Sequence, residues 1–573
     1  MAGPKIAKDL KNAAGSATVD VIIQFRNPPT SAHHKKVTNK GGSFKEDLRS
    51  VKGALYSVPG SSLASLAAEP DIVYISPDRS VQGSLDYSAP TVGADIALQN
   101  GWNGGGVTVA VIDSGVSDHW DLREGSNSPN TFKYGKSRVI YEETFVQSTS
   151  NGPKTVKDLY GHGTHVAGII ASNASSSSGS SMKHSFRGMA PKAQLVNLRV
   201  LDEKGVGRDS YVIAALERAV ELKNVYNIRV VNLSLGRPVY ENYAADPLCQ
   251  AVEAAWKAGL VVVAAAGNNG RSNDGGRSGY GTINSPGNDP YVITVGAMRT
   301  MKTPSRSDDR IASYSSKGPS YLDHVVKPDL VAPGNQIASL LMNSNNWIST
   351  LYPQNIVPYS YYQATSGTLP SNVYVWLSGT SMATPMVSGS AALLLQKDPS
   401  LTPDQVKARL MKTATKSFPS FTTAIDPLTG TTYTSQYDIF TIGAGYLDVS
   451  AALSNGDKFP GTFASPVVVF DAATGSVRLA SGTSAVWGDG ATWSLSAIWG
   501  TSVFLNGSSA VWGDSAVWGD SAVWGDTTTA GFSAVWGDSA VWGSAATAES
   551  TATAAMTGIS SPESVSIAIY GDK

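Results

Sequence analysis

Three side chains whose types together perform nucleophilic catalysis stand at the edges of apolar runs in this 573-residue chain. Asp113 directly follows Val107–Ile112, and His162 opens the stretch Gly161-His-Gly-Thr-His-Val-Ala-Gly. Ser381 lies in Ser378-Gly-Thr-Ser-Met-Ala-Thr-Pro385, ahead of a helix-like run from Met386 to Gln396. A hydroxyl is a poor nucleophile at neutral pH; it needs an adjacent base, and the base needs an acceptor that fixes its tautomer and stabilises the imidazolium. Asp, His and Ser are the types required. A helix beginning at the serine adds a positive dipole end and free backbone N–H groups, both suited to an oxyanion. Asn268, in Ala264-Ala-Ala-Gly-Asn-Asn-Gly270, carries an amide that can donate to such an oxyanion; without the triad, Gly-Asn-Asn-Gly would read first as a turn, and Asn269 stands beside it. Each cluster by itself has a plain structural reading as a cap or turn. Their joint presence gives the signal.

The elements that must position these residues follow from apolar patterning. Val107–Ile112, Leu195–Leu198, Val230–Leu233, Leu260–Ala264 and Tyr291–Val295 are short runs apolar on both faces, spaced by helical stretches such as Tyr211–Asn224 and Leu248–Ala258. That pattern predicts an α/β fold with a doubly wound, mostly parallel sheet, whose ligands bind at the carboxyl ends of the strands. Residues 1–85 read as a separate small α+β domain and linker: a strand at Val19–Phe25, a helix over Phe44–Leu55, a second helix near Ser62–Ala68 stopped by Pro70, and a strand at Ile72–Ile75. The main domain is assigned to 86–453.

Residues 454–573 differ in character. Eight of the 13 tryptophans fall there, most in copies of Ser-Ala-Val-Trp-Gly-Asp, with Trp487, Trp493 and Trp499 six apart, as are Trp512, Trp518 and Trp524. A period of six places every ring on one side of either an extended strand or a polyproline-like chain. Two readings stand: a β-prone packing module whose rings form its own core, and an aromatic ladder that grips a polymer or surface.

Composition narrows the function. Lys+Arg 44 against Asp+Glu 45 leaves a net charge of -1, so no long-range field favours nucleic acid. No apolar run of about 18 residues is present, so no transmembrane segment is expected. One cysteine, Cys249, allows no intramolecular disulfide. Residues Met1–Lys8 lack an apolar signal-peptide core, so either the chain is not exported or its signal peptide lies outside this sequence.

The order Asp, His, Ser differs from that of α/β-hydrolases and of chymotrypsin-like enzymes, and Gly-Thr-Ser-Met-Ala is not an esterase elbow. Asp113-Ser-Gly, His162-Gly-Thr-His-Val-Ala-Gly and Gly379-Thr-Ser-Met-Ala-Thr-Pro resemble the three signatures of the subtilisin-like serine proteases. The likeness continues through Lys327-Pro-Asp-Leu-Val-Ala-Pro-Gly334 and Gly443-Ala-Gly-Tyr-Leu-Asp-Val449.

The resemblance implies a serine endopeptidase in which Asp113 orients His162, His162 takes the proton, Ser381 attacks the peptide carbonyl and Asn268 serves the oxyanion. It implies that Gly205, Val206 and Gly207, with Ser234, Leu235 and Gly236, are the two backbone edges that hold an extended peptide. Ala265, Ala266 and Gly267 would wall the S1 pocket with Gly287 near its base, a neutral slot for large apolar P1 residues. The first domain resembles a propeptide that caps the cleft, with self-cleavage between Val81 and Pro90. Catalysis needs no cofactor. Structural calcium is raised by the family, Asp121 matching a frequent ligand, although the loop Ser172–Ser181 is short of carboxylates. Partners are protein substrates and the chain's own propeptide. Secretion is the family habit, a cytoplasmic enzyme the alternative. Residues 335–376 form a long Tyr-rich insertion. His165 is expected to be structural, because the His-Glu-x-x-His glutamate of zinc proteases is missing. Related sedolisins carry glutamate where His162 stands, which argues against an acid-optimum peptidase. The rival reading is a surface-binding protein built on an inactive scaffold; the intact triad speaks against it.

Overall fold

Thr108–Asp113 is buried along its whole length, as a strand in the middle of a parallel sheet must be. The computed structural model describes residues 5–6, 10, 18–48, 52–77, 87–125, 135–146, 155–272, 278–341, 346–364, 370–471, 476–479, 556–557 and 562–572. The tryptophan repeats lie outside the described residues. The chain divides into two compact units, Met1–Gln82 and Gly83–Lys573.

In the second unit the main sheet runs Arg310–Ile311, Ile293–Arg299, Val261–Ala265, Ile228–Leu233, Thr108–Asp113, Gln194–Arg199, Val139–Thr144, with Leu330–Pro333 also paired to Ile293–Arg299. All pairings are parallel except that of Arg310–Ile311. The chain adds strands to one side of Thr108–Asp113 and then crosses to the other, so Asp113 sits at the carboxyl end of the strand where the winding reverses. Ligands of open α/β sheets gather at that point.

The helices His162–Ala171 and Thr380–Lys397 pack on each other and on the sheet, and Asp209–Tyr226 pairs with Pro247–Lys257. His162–Ala171 is buried at every position, and Thr380–Lys397 is buried from Thr380 through Leu395, as helices apolar all round require. The latter helix begins earlier than its apolar run predicts: Ser381 lies inside its first turn, not ahead of it. The misleading signal is Pro385, which reads as a helix breaker. Its missing N–H leaves the Ser381 carbonyl without an i+4 donor, and the Ser234 hydroxyl fills that place at 2.8 Å.

The first unit is an antiparallel sheet in the order Ser43–Leu48, Gly53–Pro59, Thr18–Phe25, Ile72–Pro77, with helices Ser31–Thr38 and Leu63–Ala67 and its own core around Val21, Ile23, Tyr56 and Val58. The helix expected over Phe44–Leu55 is instead two strands turning near Lys52, whose φ is +52°. Period two wins there: Ala54, Tyr56 and Val58 alternate inward. The helix Ser31–Thr38 escaped the sequence reading because its capping box uses His33, not Glu or Gln, to accept from the Thr30 N–H.

The insertion folds as a three-stranded sheet of Ile337–Leu340, Pro370–Leu377 and Ile356–Pro358. Beyond the main domain, Val468–Asp471 pairs with Ser476–Leu479. The segment entering that pair is laced to the peptidase unit, with Val326 N–H donating to the Pro466 carbonyl at 2.8 Å and Val468 N–H to that of His324 at 3.0 Å. A last helix, Pro562–Tyr570, also packs into this unit, burying Ile567, Ala568 and Ile569.

Candidate active site

Asp113 and His162, forty-nine positions apart, meet because a strand end and a helix start converge. Asp113 Oδ1 accepts from His162 Nδ1 at 2.8 Å and from the Ser114 N–H at 2.7 Å, with both side chains fully buried. Burial opposes a charged imidazole. The charge and hydrogen bond of Asp113, with Asp158 beyond, outweigh it and hold His162 above the usual imidazole value. His162 Nε2 has no hydrogen-bond partner among the described residues.

Asp158 is the positioning residue the sequence reading missed. Its Oδ1 accepts from the Ser114 hydroxyl at 2.8 Å and the Gly161 N–H at 2.7 Å, while Oδ2 accepts from the Thr164 N–H at 2.8 Å. Ser114 in turn accepts from the Gly163 N–H at 2.9 Å. The carboxylate thus satisfies the start of the histidine helix and ties it to the turn after Asp113. Its place four residues before His162 resembles an N-cap signal displaced by one turn.

Ser381 Oγ donates to the Ser234 carbonyl at 3.1 Å. Asn232 Nδ2 donates to the Ser234 hydroxyl at 2.9 Å, and Ser388 donates to Asn232 Oδ1 at 2.8 Å, so the serine stands on a buried polar chain. Asn268 is fixed by the same helix start: its Oδ1 accepts from the Thr380 N–H at 2.9 Å and the Thr380 hydroxyl at 3.0 Å. A backbone N–H can only donate, so the face toward Thr380 is the amide oxygen. The amide nitrogen is left to donate elsewhere. Asn269 is set apart from it, bonded to Ser316 and Asn284.

The remaining sequence-derived positions fall on two backbone edges and a wall. Val206–Gly207 is a short strand, and Gly205 needs its φ of +76° with no Cβ, because one would meet the Tyr160 ring at 2.6 Å. Ser234–Gly236 continues from the strand Ile228–Leu233, with Leu235 buried. Ala265 and Ala266 are buried at the end of Val261–Ala265; the Gly267 N–H donates to Thr380 Oγ1 at 3.2 Å; Gly287 approaches the Ala265 carbonyl so closely that a Cβ would stand 2.8 Å away. His165 is buried, with Nε2 facing the Ile337 carbonyl at 3.0 Å, and burial presses its pKa down to about 3, so it stays neutral. The insertion leans on the histidine side: Trp347 lies 5.4 Å from the Tyr160 ring, and the Ile348 N–H donates to the Tyr160 carbonyl.

The surroundings of Asp121 do not fit calcium. Its Oδ1 takes the Ser175 hydroxyl at 3.0 Å and the Ser176 N–H at 2.7 Å; its Oδ2 takes Tyr374 OH at 2.6 Å and the Ser172 hydroxyl at 3.2 Å. Donors occupy the directions a hard cation would need, and a calcium ion wants about six or more oxygens. Among the described residues no group of three acidic, His or Cys side chains could hold a metal. Tyr374→Phe should cost about 1–3 kcal/mol of stability, and calcium should not restore it. Thermal melts of both proteins with calcium and with chelator check this; rescue by calcium would show that the ion can take the tyrosine's place.

Comparison with known proteins bears on this arrangement. The family model described as the subtilase family matches residues 104–436. The chain is 36% identical to serine protease AprX of Bacillus subtilis over 388 residues, covering 66% of this chain and 77% of that protein. It is 31% identical to subtilisin E of the same organism over 413 residues, covering 70% and 87%. It is 33% identical to the alkaline protease of Alkalihalobacillus alcalophilus over 354 residues, covering 61% and 71%.

Proposed function

Because this chain belongs to the subtilase family and is a serine endopeptidase, we propose that Ser381 is its nucleophile, His162 the base, Asp113 the orienting acid and Asn268 an oxyanion donor. The observation carrying this reading is the buried 2.8 Å bond between Asp113 and His162, set beside a helix whose first turn holds Ser381.

The Ser381 hydroxyl leaves the Ser234 carbonyl and turns to His162 Nε2, which takes its proton as Oγ bonds to the substrate carbonyl carbon. The carbonyl oxygen becomes an anion, met by the Asn268 amide nitrogen and by N–H groups of the helix start, which have no intrahelical acceptor. His162 then gives the proton to the departing amine and the C–N bond breaks. Water, deprotonated by the same imidazole, cleaves the acyl ester and restores Ser381.

An extended peptide pairs with Gly205–Gly207 and Ser234–Gly236, edges that read the main chain and give little side-chain selectivity. The small, neutral wall of Ala265–Gly267 suits large apolar P1 residues. Met1–Gln82, a unit with its own core, acts as the propeptide of an autoprocessed zymogen that is secreted. For the repeats we retain the two roles their period allows.

Asn268→Asp keeps the acceptor for Thr380 but removes the donor. It should lower kcat by about 10²–10³-fold with little change in KM. The assay uses peptides differing only at P1, and Phe should be cut far faster than Lys or Asp. An unchanged kcat would remove Asn268 from the mechanism, and preference for Lys would overturn the neutral pocket.

A further inference from the structure

The edge assigned to substrate already carries a strand. Met556 pairs with Gly207 and Thr557 with Val206, antiparallel, in a two-stranded sheet formed by the chain's own C-terminal segment. This is strand addition of the kind by which exposed edges take extended peptides.

The segment is firmly tied a few residues later. The helix Pro562–Tyr570 begins five residues beyond Thr557, so the two anchors lie within a chain reach of at most about 18 Å. The Ser378 N–H, three residues before the nucleophile, donates to the Ala568 carbonyl at 2.9 Å. Asn355 Nδ2 donates to the Ile569 carbonyl at 2.8 Å. Asp572 is buried: its Oδ1 accepts from Arg271 Nη2 and the Ser313 hydroxyl, each at 2.7 Å, and its Oδ2 from the Ser313 N–H at 2.7 Å. Arg271 stands three residues after Asn268. The C-terminal segment is therefore held to the peptide edge at one end, and beside the serine and oxyanion loops at the other.

We propose that Met556 and Thr557, tethered through the helix Pro562–Tyr570 and Asp572, are a built-in peptide ligand of the substrate edge, an anchored strap that competes with substrate at Val206–Gly207. This rests on the reading of that strand as the substrate edge. Two paired residues bind weakly alone, but tethering supplies an effective concentration of order millimolar, enough to oppose short peptides. Long substrates that engage both edges displace the strap.

The test uses the full chain. Prolines at both paired positions, Met556→Pro with Thr557→Pro, remove the N–H groups that pairing needs and leave the helix and Asp572 in place. KM for a short chromogenic peptide should fall at least about threefold with kcat unchanged. A synthetic peptide of residues 553–573, added to the double variant, should raise KM again. In parallel, Val206→Pro should raise KM if that strand binds substrate. If Val206→Pro raises KM and the double variant leaves it unmoved, the strap is overturned and the edge assignment stands. If neither moves KM, the edge assignment itself has failed and the strap falls with it.

Discussion

Ser381→Ala leaves the fold intact and abolishes peptide hydrolysis, a loss on the order of 10⁶-fold in kcat if it matches the loss a subtilisin suffers without its serine. The side chain removed is small, and among the described residues its hydroxyl makes a single hydrogen bond, to the Ser234 carbonyl. Stability should therefore change by no more than about 1 kcal/mol. The same variant reports on maturation. Intact mass of the wild type after incubation at neutral pH should show loss of the N-terminal unit by a cut between Val81 and Pro90, while the variant stays whole. Cleavage of the pure variant at the same place would mean that another agent matures the enzyme. A wild type that also stays whole would make Met1–Gln82 a permanent domain.

Asp113→Asn should lower kcat by about 10⁴-fold near neutral pH. Asp113 Oδ1 holds the proton of His162 on Nδ1, which leaves Nε2 as the lone-pair face toward the serine. An amide can present its N–H₂ instead, placing the imidazole proton on the wrong nitrogen. The pH profile carries a second signature. The base works only when neutral, so wild-type kcat/KM falls as pH drops through the His162 pKa, which Asp113 raises above the ordinary imidazole range. Without that carboxylate, burial pushes the pKa the other way, and the residual activity of Asp113→Asn should persist to lower pH. Equal acid limbs in both proteins would show that some other group governs the profile.

The parts legible in sequence are those encoded within one segment. Five apolar runs read as parallel strands appear as Thr108–Asp113, Gln194–Arg199, Ile228–Leu233, Val261–Ala265 and Ile293–Arg299, because burial on both faces leaves an uninterrupted run. Val139–Thr144, half-buried and carrying two glutamates, gives no such run and was not anticipated. The same limit applies at the site. Asp113, His162, Asn268 and Ser381 each stand in a recognisable local motif, but the groups that hold them do not. Asp158 works through hydrogen bonds to Ser114, Gly161 and Thr164 that only the folded turn creates. Asp572 meets Arg271 from 301 positions away, and a single charge near one end of a sequence carries no mark of its partner.

That last ion pair fixes Asp572 to the peptidase unit. The strand Ser476–Leu479 and the pair Met556–Thr557 both belong to the peptidase unit, so the covalent connection between them is fixed to one body at each end. A single cut between Leu479 and Met556 would yield a two-chain molecule whose halves stay together through the buried face of the helix Pro562–Tyr570 and the Asp572–Arg271 pair.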